Sequence, residues 1–228
     1  MNGTDLSSGW EGVADQWTSF VRSGEDVPFE WHGDAFLELV PTRRGRTLDA
    51  GCGEGRLTRR LAAAGHDVVG VDASPSLIAR AQEADPGREY GIADVTALPF
   101  DDAVFDTVVS FMVLQDVEDY QQVIREAARV LRRGGSFCLA IVHPLSSAGD
   151  WASDELESAH VVENYCGVWA RPRPLGEAHV TQYHRPIEAY FDALRAAGFA
   201  VEELRELSTR RRSPGRIPIF LDLCAVKR

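Results

Sequence analysis

The chain has little that would indicate a disulfide framework or a membrane anchor. No Cys-x-x-Cys spacing occurs among its four cysteines, which are Cys52, Cys138, Cys166 and Cys224. No apolar run approaches the ~18 residues that a membrane-spanning helix needs. We see no signal peptide, and therefore expect reduced thiols in a cytoplasmic protein.

Positive charge is also scarce. The chain carries 24 Lys and Arg against 35 Asp and Glu, a formal net charge of −11. This balance argues against partners rich in phosphate, so we expect neither a nucleic acid nor a membrane partner. The exception is the basic run Arg210–Arg212, which we interpret as a solvated loop before the last strand. Three histidines, His143, His179 and His184, are too scattered to predict a metal site.

From residue 46 onward, apolar runs of strand length alternate with helical patterns. This alternation predicts an α/β fold of parallel strands with helices on both faces. The predicted strands are 46–51, 67–72, 88–93, 104–110 and 136–142. A helix over 186–197 and two strands, 199–207 and 217–226, are predicted to follow. At 228 residues and 44% hydrophobic content, the chain can form a single domain with a full core.

A glycine-rich turn with a distant acid is the most informative pattern. The run Leu48-Asp49-Ala50-Gly51-Cys52-Gly53-Glu54-Gly55 ends a buried strand and precedes a helix from Arg56. Glycines lack the Cβ atoms that would hold a ligand away from backbone N–H groups. Asp72 ends the next strand, about 20 residues on, the spacing at which an acid reaches ribose hydroxyls in a nucleotide-binding unit. The pattern predicts nucleoside binding.

The same run resembles the glycine motif of class I S-adenosylmethionine-dependent methyltransferases. Asp94, after the third strand, resembles the position that accepts a hydrogen bond from the adenine amino group. The segments 97–110 and 131–137 are also similar to this family. The resemblance implies a Rossmann-like seven-stranded sheet, mostly parallel with the last strand antiparallel, and S-adenosyl-L-methionine as cofactor. A dinucleotide fingerprint differs, because its third glycine comes one residue later.

The resemblance also implies how one methyltransferase domain is organised. Residues 1–45 form an N-terminal helical cap of one or two helices, 46–142 the cofactor-binding core, 143–185 an acceptor-site insertion, and 186–228 a C-terminal helix and strand pair. By this resemblance Trp17 and Arg22 meet the methionine end of the cofactor. The full set of implied cofactor-binding residues is Trp17, Arg22, Asp49, Gly51, Cys52, Gly53, Gly55, Asp72, Ala73, Asp94, Val95, Phe111 and Gln115.

Candidate catalytic residues come from the insertion, which is rich in aromatic and histidine side chains. Ligands in open α/β sheets bind beyond the carboxyl ends of the strands, where the fifth strand would deliver His143. His143, His184 and Tyr165 are therefore candidate bases, although each has a structural interpretation as well. Gln115 stands where members of this family often carry His. The resemblance therefore gives only weak support for a catalytic base at that position.

The expected activity is methyl transfer to an O or N atom of a small molecule, with a link to secondary metabolism implied by the resemblance. Base methylation of nucleic acids is disfavoured, because Ser110-Phe111-Met112-Val113 stands where those enzymes carry Asn/Asp-Pro-Pro-aromatic. Two alternatives stay open: the same pocket serving a non-methylating reaction, and a catalytically silent binding protein. The sequence does not decide between a monomer and a homodimer.

Overall fold

The computed structural model describes residues 6–23, 27–42, 45–152, 159–175, 178–208 and 217–228. The predicted Arg210–Arg212 loop lies outside these ranges. Within them, no helix is both long and apolar enough to cross a membrane.

The centre of the molecule is a seven-stranded sheet. Its strands are β1 (Arg46–Ala50), β2 (Asp67–Asp72), β3 (Glu89–Ile92), β4 (Phe105–Phe111), β5 (Leu131–Val142), β10 (Phe199–Leu207) and β11 (Phe220–Lys227). They lie in the order β10-β11-β5-β4-β1-β2-β3. Only β11 runs antiparallel to its neighbours, β5 and β10. The predicted fold class is therefore confirmed, including the antiparallel last strand.

Helices cover both faces of this sheet. They are α4 (Arg56–Ala63), α5 (Pro75–Ala84), α6 (Tyr120–Val130) and α8 (Ile187–Ala196). Successive strand residues point to opposite faces, so Val108 packs in one apolar cluster with α6 and α8, and Val109 packs in another with α4. Ser74 is the N-cap residue of α5, and its hydroxyl accepts a hydrogen bond from Leu77 N at 3.2 Å.

Strand β5 is longer than predicted. The sequence placed its start at residue 136 because Gly134 and Gly135 resemble a turn, but the strand begins at Leu131. Leu131 pairs with Phe105 of β4, and the register then shifts between Phe105 and Thr107. The glycines therefore lie in an irregularity of the strand, between the pairs Leu131–Phe105 and Ser136–Thr107.

One or two helices were predicted before the sheet, and the described residues of this segment form three: α1 (Leu6–Glu11), α2 (Ala14–Arg22) and α3 (Val27–Leu39). Glu11, at the end of α1, anchors this helix to the start of α5. Its carboxylate accepts hydrogen bonds from the Ser74 and Ser76 hydroxyls and from Ser76 N, the last at 3.1 Å. These bonds lower the pKa of Glu11, so the anchor is ionised at neutral pH.

The insertion forms small units outside the main sheet. Helix α7 (Pro144–Ser147) is followed by the antiparallel pair β6 (Gly149–Trp151) and β7 (His160–Val162). A second pair, β8 (Trp169–Leu175) and β9 (Ala178–His184), returns the chain to α8. This second hairpin packs β9 against α1 and against the turn that follows β4.

Candidate active site

A cavity of about 330 Å³ lies at the carboxyl ends of β1, β2 and β4. Aromatic side chains of α1 and α2, among them Trp10 and Trp17, line one wall, and Arg173 of β8 contributes another part. The volume falls within the usual range of small-molecule sites. The cavity occupies the position where an open α/β sheet binds its ligand.

The three glycines of the turn have different physical roles. A Cβ on Gly51 would overlap Val113, and one on Gly55 would come within 2.6 Å of the Tyr90 hydroxyl oxygen. At Gly53, the nearest atom to an added Cβ is Trp17 Nε1, at 4.0 Å. Gly51 and Gly55 therefore make room for the protein itself, whereas Gly53 leaves an open cradle beside Trp17.

Asp72 is bonded to the turn. Its Oδ2 accepts a hydrogen bond from Gly53 N and its Oδ1 one from Ser74 N, each at 2.9 Å. Burial raises the pKa of Asp72, and these backbone bonds oppose that shift. Each carboxylate oxygen has a second lone pair, so Asp72 can still accept hydrogen bonds from hydroxyl groups of a ligand.

Asp49 lies deeper in the site. Its Oδ2 accepts a 2.6 Å hydrogen bond from the Thr58 hydroxyl, and burial raises its pKa to about 7. Asp94, by contrast, is exposed at the rim, where its Oδ1 accepts bonds from Thr96 N and Thr96 Oγ1. Those bonds fix the side chain through one oxygen and do not engage Oδ2.

The cavity brings together all but two of the predicted cofactor-binding residues. Its lining includes Trp17, Asp49, Gly51, Cys52, Gly53, Asp72, Ala73, Asp94, Val95, Phe111 and Gln115. Gly55 lies outside the lining, packed against Tyr90 and Ala81. Arg22 also lies outside it; its guanidinium is 3.7 Å from the Glu54 carboxylate, and Glu54 lines the cavity.

None of the three candidate bases lines the cavity. His143 caps α7 by accepting from Leu145 N at 3.0 Å, and its Nε2 lies 2.9 Å from a Glu206 carboxylate oxygen. His184 is bonded through both ring nitrogens and stacks on Trp169. The Tyr165 hydroxyl is 3.5 Å from Ile187 N. Their catalytic roles stay predictions, and their observed contacts are those of structural residues.

The charged lining residues that sequence reasoning missed include Asp116 and Arg173. Asp116 ends the short 3-10 turn Leu114–Asp116 that follows β4, and its carboxylate lies 3.7 Å from the Arg173 guanidinium. Asp116 Oδ1, Arg173 Nε and Gln115 Oε1 are buried and have no hydrogen-bond partner. Buried polar atoms without partners are rare and costly, so these three mark a place built for a polar ligand.

Arg185 holds this turn in place. Its guanidinium is buried and donates hydrogen bonds to the carbonyls of Leu114, Val117 and Glu118, at 3.0, 2.7 and 2.8 Å. The rings of Tyr120 and Tyr183 lie 4.3 and 4.9 Å from it. A residue at the end of the insertion therefore positions the turn that carries Gln115 and Asp116.

These residues fit an adenosyl ligand with a polar tail. Asp72 and Asp94 supply acceptors for hydroxyl and amino donors, and the cradle at Gly53 admits close approach to the backbone. Among the described residues, no three His, Cys, Asp or Glu side chains come together as a metal site.

Comparison with known proteins finds similarity to methyltransferases. Residues 48–139 match a family model described as a methyltransferase domain. These residues are similar to class I S-adenosylmethionine-dependent methyltransferases. The similarity supports S-adenosylmethionine as the cofactor, as the resemblance implied.

Relatives of this methyltransferase domain include a malonyl-[acyl-carrier protein] O-methyltransferase of Enterobacter lignolyticus, 37% identical over 45% of this chain. A 27-O-demethylrifamycin SV methyltransferase of Amycolatopsis mediterranei is 38% identical over 46%. The matched regions span 41% and 42% of these relatives' own lengths. The similarity is therefore confined to about two fifths of each relative.

A solved structure extends the similarity to most of the fold. An S-adenosylmethionine-dependent methyltransferase from Mesorhizobium loti superposes with a TM-score of 0.72 at 29% identity. The match covers 85% of this chain and 96% of that protein.

Proposed function

We propose that this protein transfers a methyl group from S-adenosylmethionine to an O or N atom of a small molecule. The observation that carries the proposal is that the open cradle at Gly53 and the carboxylates of Asp72 and Asp94 line one cavity. The substrates named for the relatives, malonyl-[acyl-carrier protein] and a rifamycin, support methylation of a small molecule, in keeping with the expected link to secondary metabolism, without identifying this acceptor.

The chain's own residues have three tasks in this reaction. When bound, the cofactor supplies an electrophilic methyl group on a sulfonium with a neutral leaving group. Asp72 and Asp94 accept hydrogen bonds from its nucleoside part, while Trp17 and Trp10 shield the cavity from water. The residues that follow β4 orient the acceptor so that its lone pair faces the methyl carbon.

Calorimetric titration of the purified protein tests the cofactor site. We expect S-adenosylmethionine and S-adenosylhomocysteine to bind, and NAD not to bind. Asp72→Ala and Asp94→Ala should each weaken cofactor binding by roughly 10- to 100-fold, because each removes a charged hydrogen-bond acceptor worth about 1.5–3 kcal/mol. Asp67→Ala is the matched control, since Asp67 is exposed at the opposite end of strand β2.

Thermal unfolding must accompany this titration, because Asp72 also bonds the backbone of Gly53 and Ser74. Unchanged affinity in both variants, each still folded, would refute the assignment of the nucleoside site. Binding of NAD alone would indicate a dinucleotide protein instead.

The mass of the product separates methyl transfer from the non-methylating alternative. Methyl transfer adds one CH₂ unit to the acceptor and leaves S-adenosylhomocysteine, whereas a rearrangement leaves the mass unchanged. Cofactor binding without turnover on any acceptor of a broad small-molecule panel would favour the silent binding protein.

A further inference from the structure

A buried acid and a basic side chain face each other in the cavity, beside Gln115 on the turn that follows β4. Asp116 is 6% exposed, and its Oδ1 has no hydrogen-bond partner. Arg173 Nε is likewise buried and unpartnered, and the two side chains are 3.7 Å apart. Neither residue belongs to the glycine turn or to the two acids that meet the nucleoside.

The strand order places this pair at the reacting end. The sheet runs β5-β4-β1-β2-β3, and the nucleoside acids Asp72 and Asp94 follow β2 and β3. A ligand whose nucleoside lies over β2 and β3 and crosses the β1 turn directs its other end towards β4. Asp116 follows β4, and Arg173 approaches from the insertion.

Aromatic side chains are prominent in the lining of the same cavity. Trp10, Trp17 and Phe20 of the N-terminal helices line the cavity together with Phe111 and Phe220. The Arg173 guanidinium lies 6.0 Å from the ring centre of Trp10. A flat apolar body with one or two polar groups complements such walls better than a sugar or an aliphatic chain does.

We propose that the substrate is an aromatic hydroxyl compound and that Asp116 is the general base of the reaction. Arg173 donates a hydrogen bond to a carbonyl or another hydrogen-bond-accepting atom of the substrate, next to the hydroxyl group that is methylated. This inference rests on the proposed methyltransferase function and deepens it by naming the class of acceptor. The hydroxyl donates its hydrogen bond to Asp116 Oδ1, the atom that lacks a partner.

The proposed step conserves atoms and charge. The hydroxyl proton moves to Asp116 Oδ1, and an oxygen lone pair forms the new bond to the methyl carbon. The electron pair of the methyl–sulfur bond stays on sulfur, which becomes neutral. The products are an aryl methyl ether, a thioether and a protonated Asp116, which then loses its proton to solvent.

The surroundings of Asp116 suit a base that works near neutral pH. Burial raises its pKa to about 7, opposed by the Arg173 guanidinium and the Gln115 amide. Burial raises the pKa of Tyr190 on α8, and Asp116 is close enough to add to that shift. Arg185 binds the carbonyls of Leu114 and Val117, on either side of Asp116.

The test uses a panel of hydroxyarenes, matched by anilines and benzyl alcohols, with product masses as readout. We expect methylation of hydroxyarenes, with a rate that rises as pH increases through about 7. Asp116→Asn should lower kcat by about 10²- to 10⁴-fold and remove that rise, because no base remains. Arg173→Met should raise the acceptor KM by at least about 10-fold, with Arg173→Lys intermediate.

Two controls and one further measurement separate a catalytic role of Asp116 and Arg173 from a structural one. We expect kcat and KM to be unchanged in Asp101→Asn, which replaces an exposed acid. We expect the same of Arg171→Met, because Arg171 pairs with Asp150 although it lies only two residues before Arg173. Because folding raises the pKa of Asp116 from 3.8, ionised Asp116 destabilises the fold. Asp116→Asn should therefore raise Tm at pH 8, by a margin that shrinks as pH falls towards 4.

Each failure has its own meaning. Methylation of anilines alone, or of no hydroxyarene while S-adenosylmethionine binds, would overturn the acceptor class. A kcat and pH profile unchanged in Asp116→Asn would overturn its role as base, as would a variant that loses Tm and activity together. Wild-type protein that does not bind S-adenosylmethionine would instead overturn the proposed function.

Discussion

Replacing Gly51 by alanine is expected to destabilise the protein by roughly 3 kcal/mol or more and to abolish cofactor binding. Gly51 has φ +84°, where an L-residue costs about 1–2 kcal/mol. The new Cβ would also overlap Val113, which follows β4, and overpacking of this kind costs about 1–3 kcal/mol. Thermal unfolding should show a Tm lower by about 6–12 °C.

Gly53→Ala provides the matched comparison. Its φ is +57°, but the nearest atom to the new Cβ is Trp17 Nε1 at 4.0 Å, so only the backbone cost remains. We expect a smaller loss of Tm together with a large loss of cofactor affinity, because the methyl group enters the cradle. Gly87→Ala, in open space, should change neither. Equal effects of the Gly51 and Gly53 variants on stability would contradict the roles assigned to them.

Arg185→Met is expected to lower both stability and turnover while leaving the glycine turn intact. The substitution leaves the carbonyls of Leu114, Val117 and Glu118 without the buried guanidinium that binds them. Buried groups that lose a partner cost about 1–3 kcal/mol each, so we expect a net loss of roughly 3 kcal/mol. Chemical denaturation measures the free energy of unfolding, and single-turnover kinetics measures the reaction.

Arg185→Lys tests the geometry of the three bonds. A single ammonium cannot reproduce a fork that spans three carbonyls, so lysine should restore only part of the stability. Arg195→Met, on the exposed face of α8, is the control and should change the free energy of unfolding little. A fully stable and active Arg185→Lys variant would show that charge alone suffices at this position.

The sequence predicted the sheet well because its strands are local and strongly patterned. Strand β2 has the predicted bounds, and Ser74 caps α5 as expected. The glycine turn and Asp72 were identified because their chemistry depends on spacing along the chain. The sequence could not separate the roles of the glycines. An added Cβ would collide with Tyr90 at Gly55 and with Val113 at Gly51, and these neighbours are distant in sequence.

The acceptor side was much harder to predict. His143 and His184 were chosen by residue type and position, yet the structure gives them partners away from the cavity. Arg173 reaches Asp116 only because the β8–β9 hairpin folds back over the turn after β4. No periodicity in the sequence predicts the contact between Arg173 and Asp116. Which buried polar atoms lack a hydrogen-bond partner can be seen only in the folded structure.

The dual attachment of Arg185 has a consequence for protein engineering. It stands at the junction between the hairpin and α8, where its guanidinium binds backbone carbonyls of the turn after β4 and lies over the ring of Tyr183 in the hairpin. Carbonyls are the same in every sequence, so the hydrogen bonds of this joint do not depend on the side chains of the turn, whereas the ring contact depends on Tyr183. A hairpin grafted from a relative would therefore have to keep Tyr183 together with Arg185 to meet the turn in the same way.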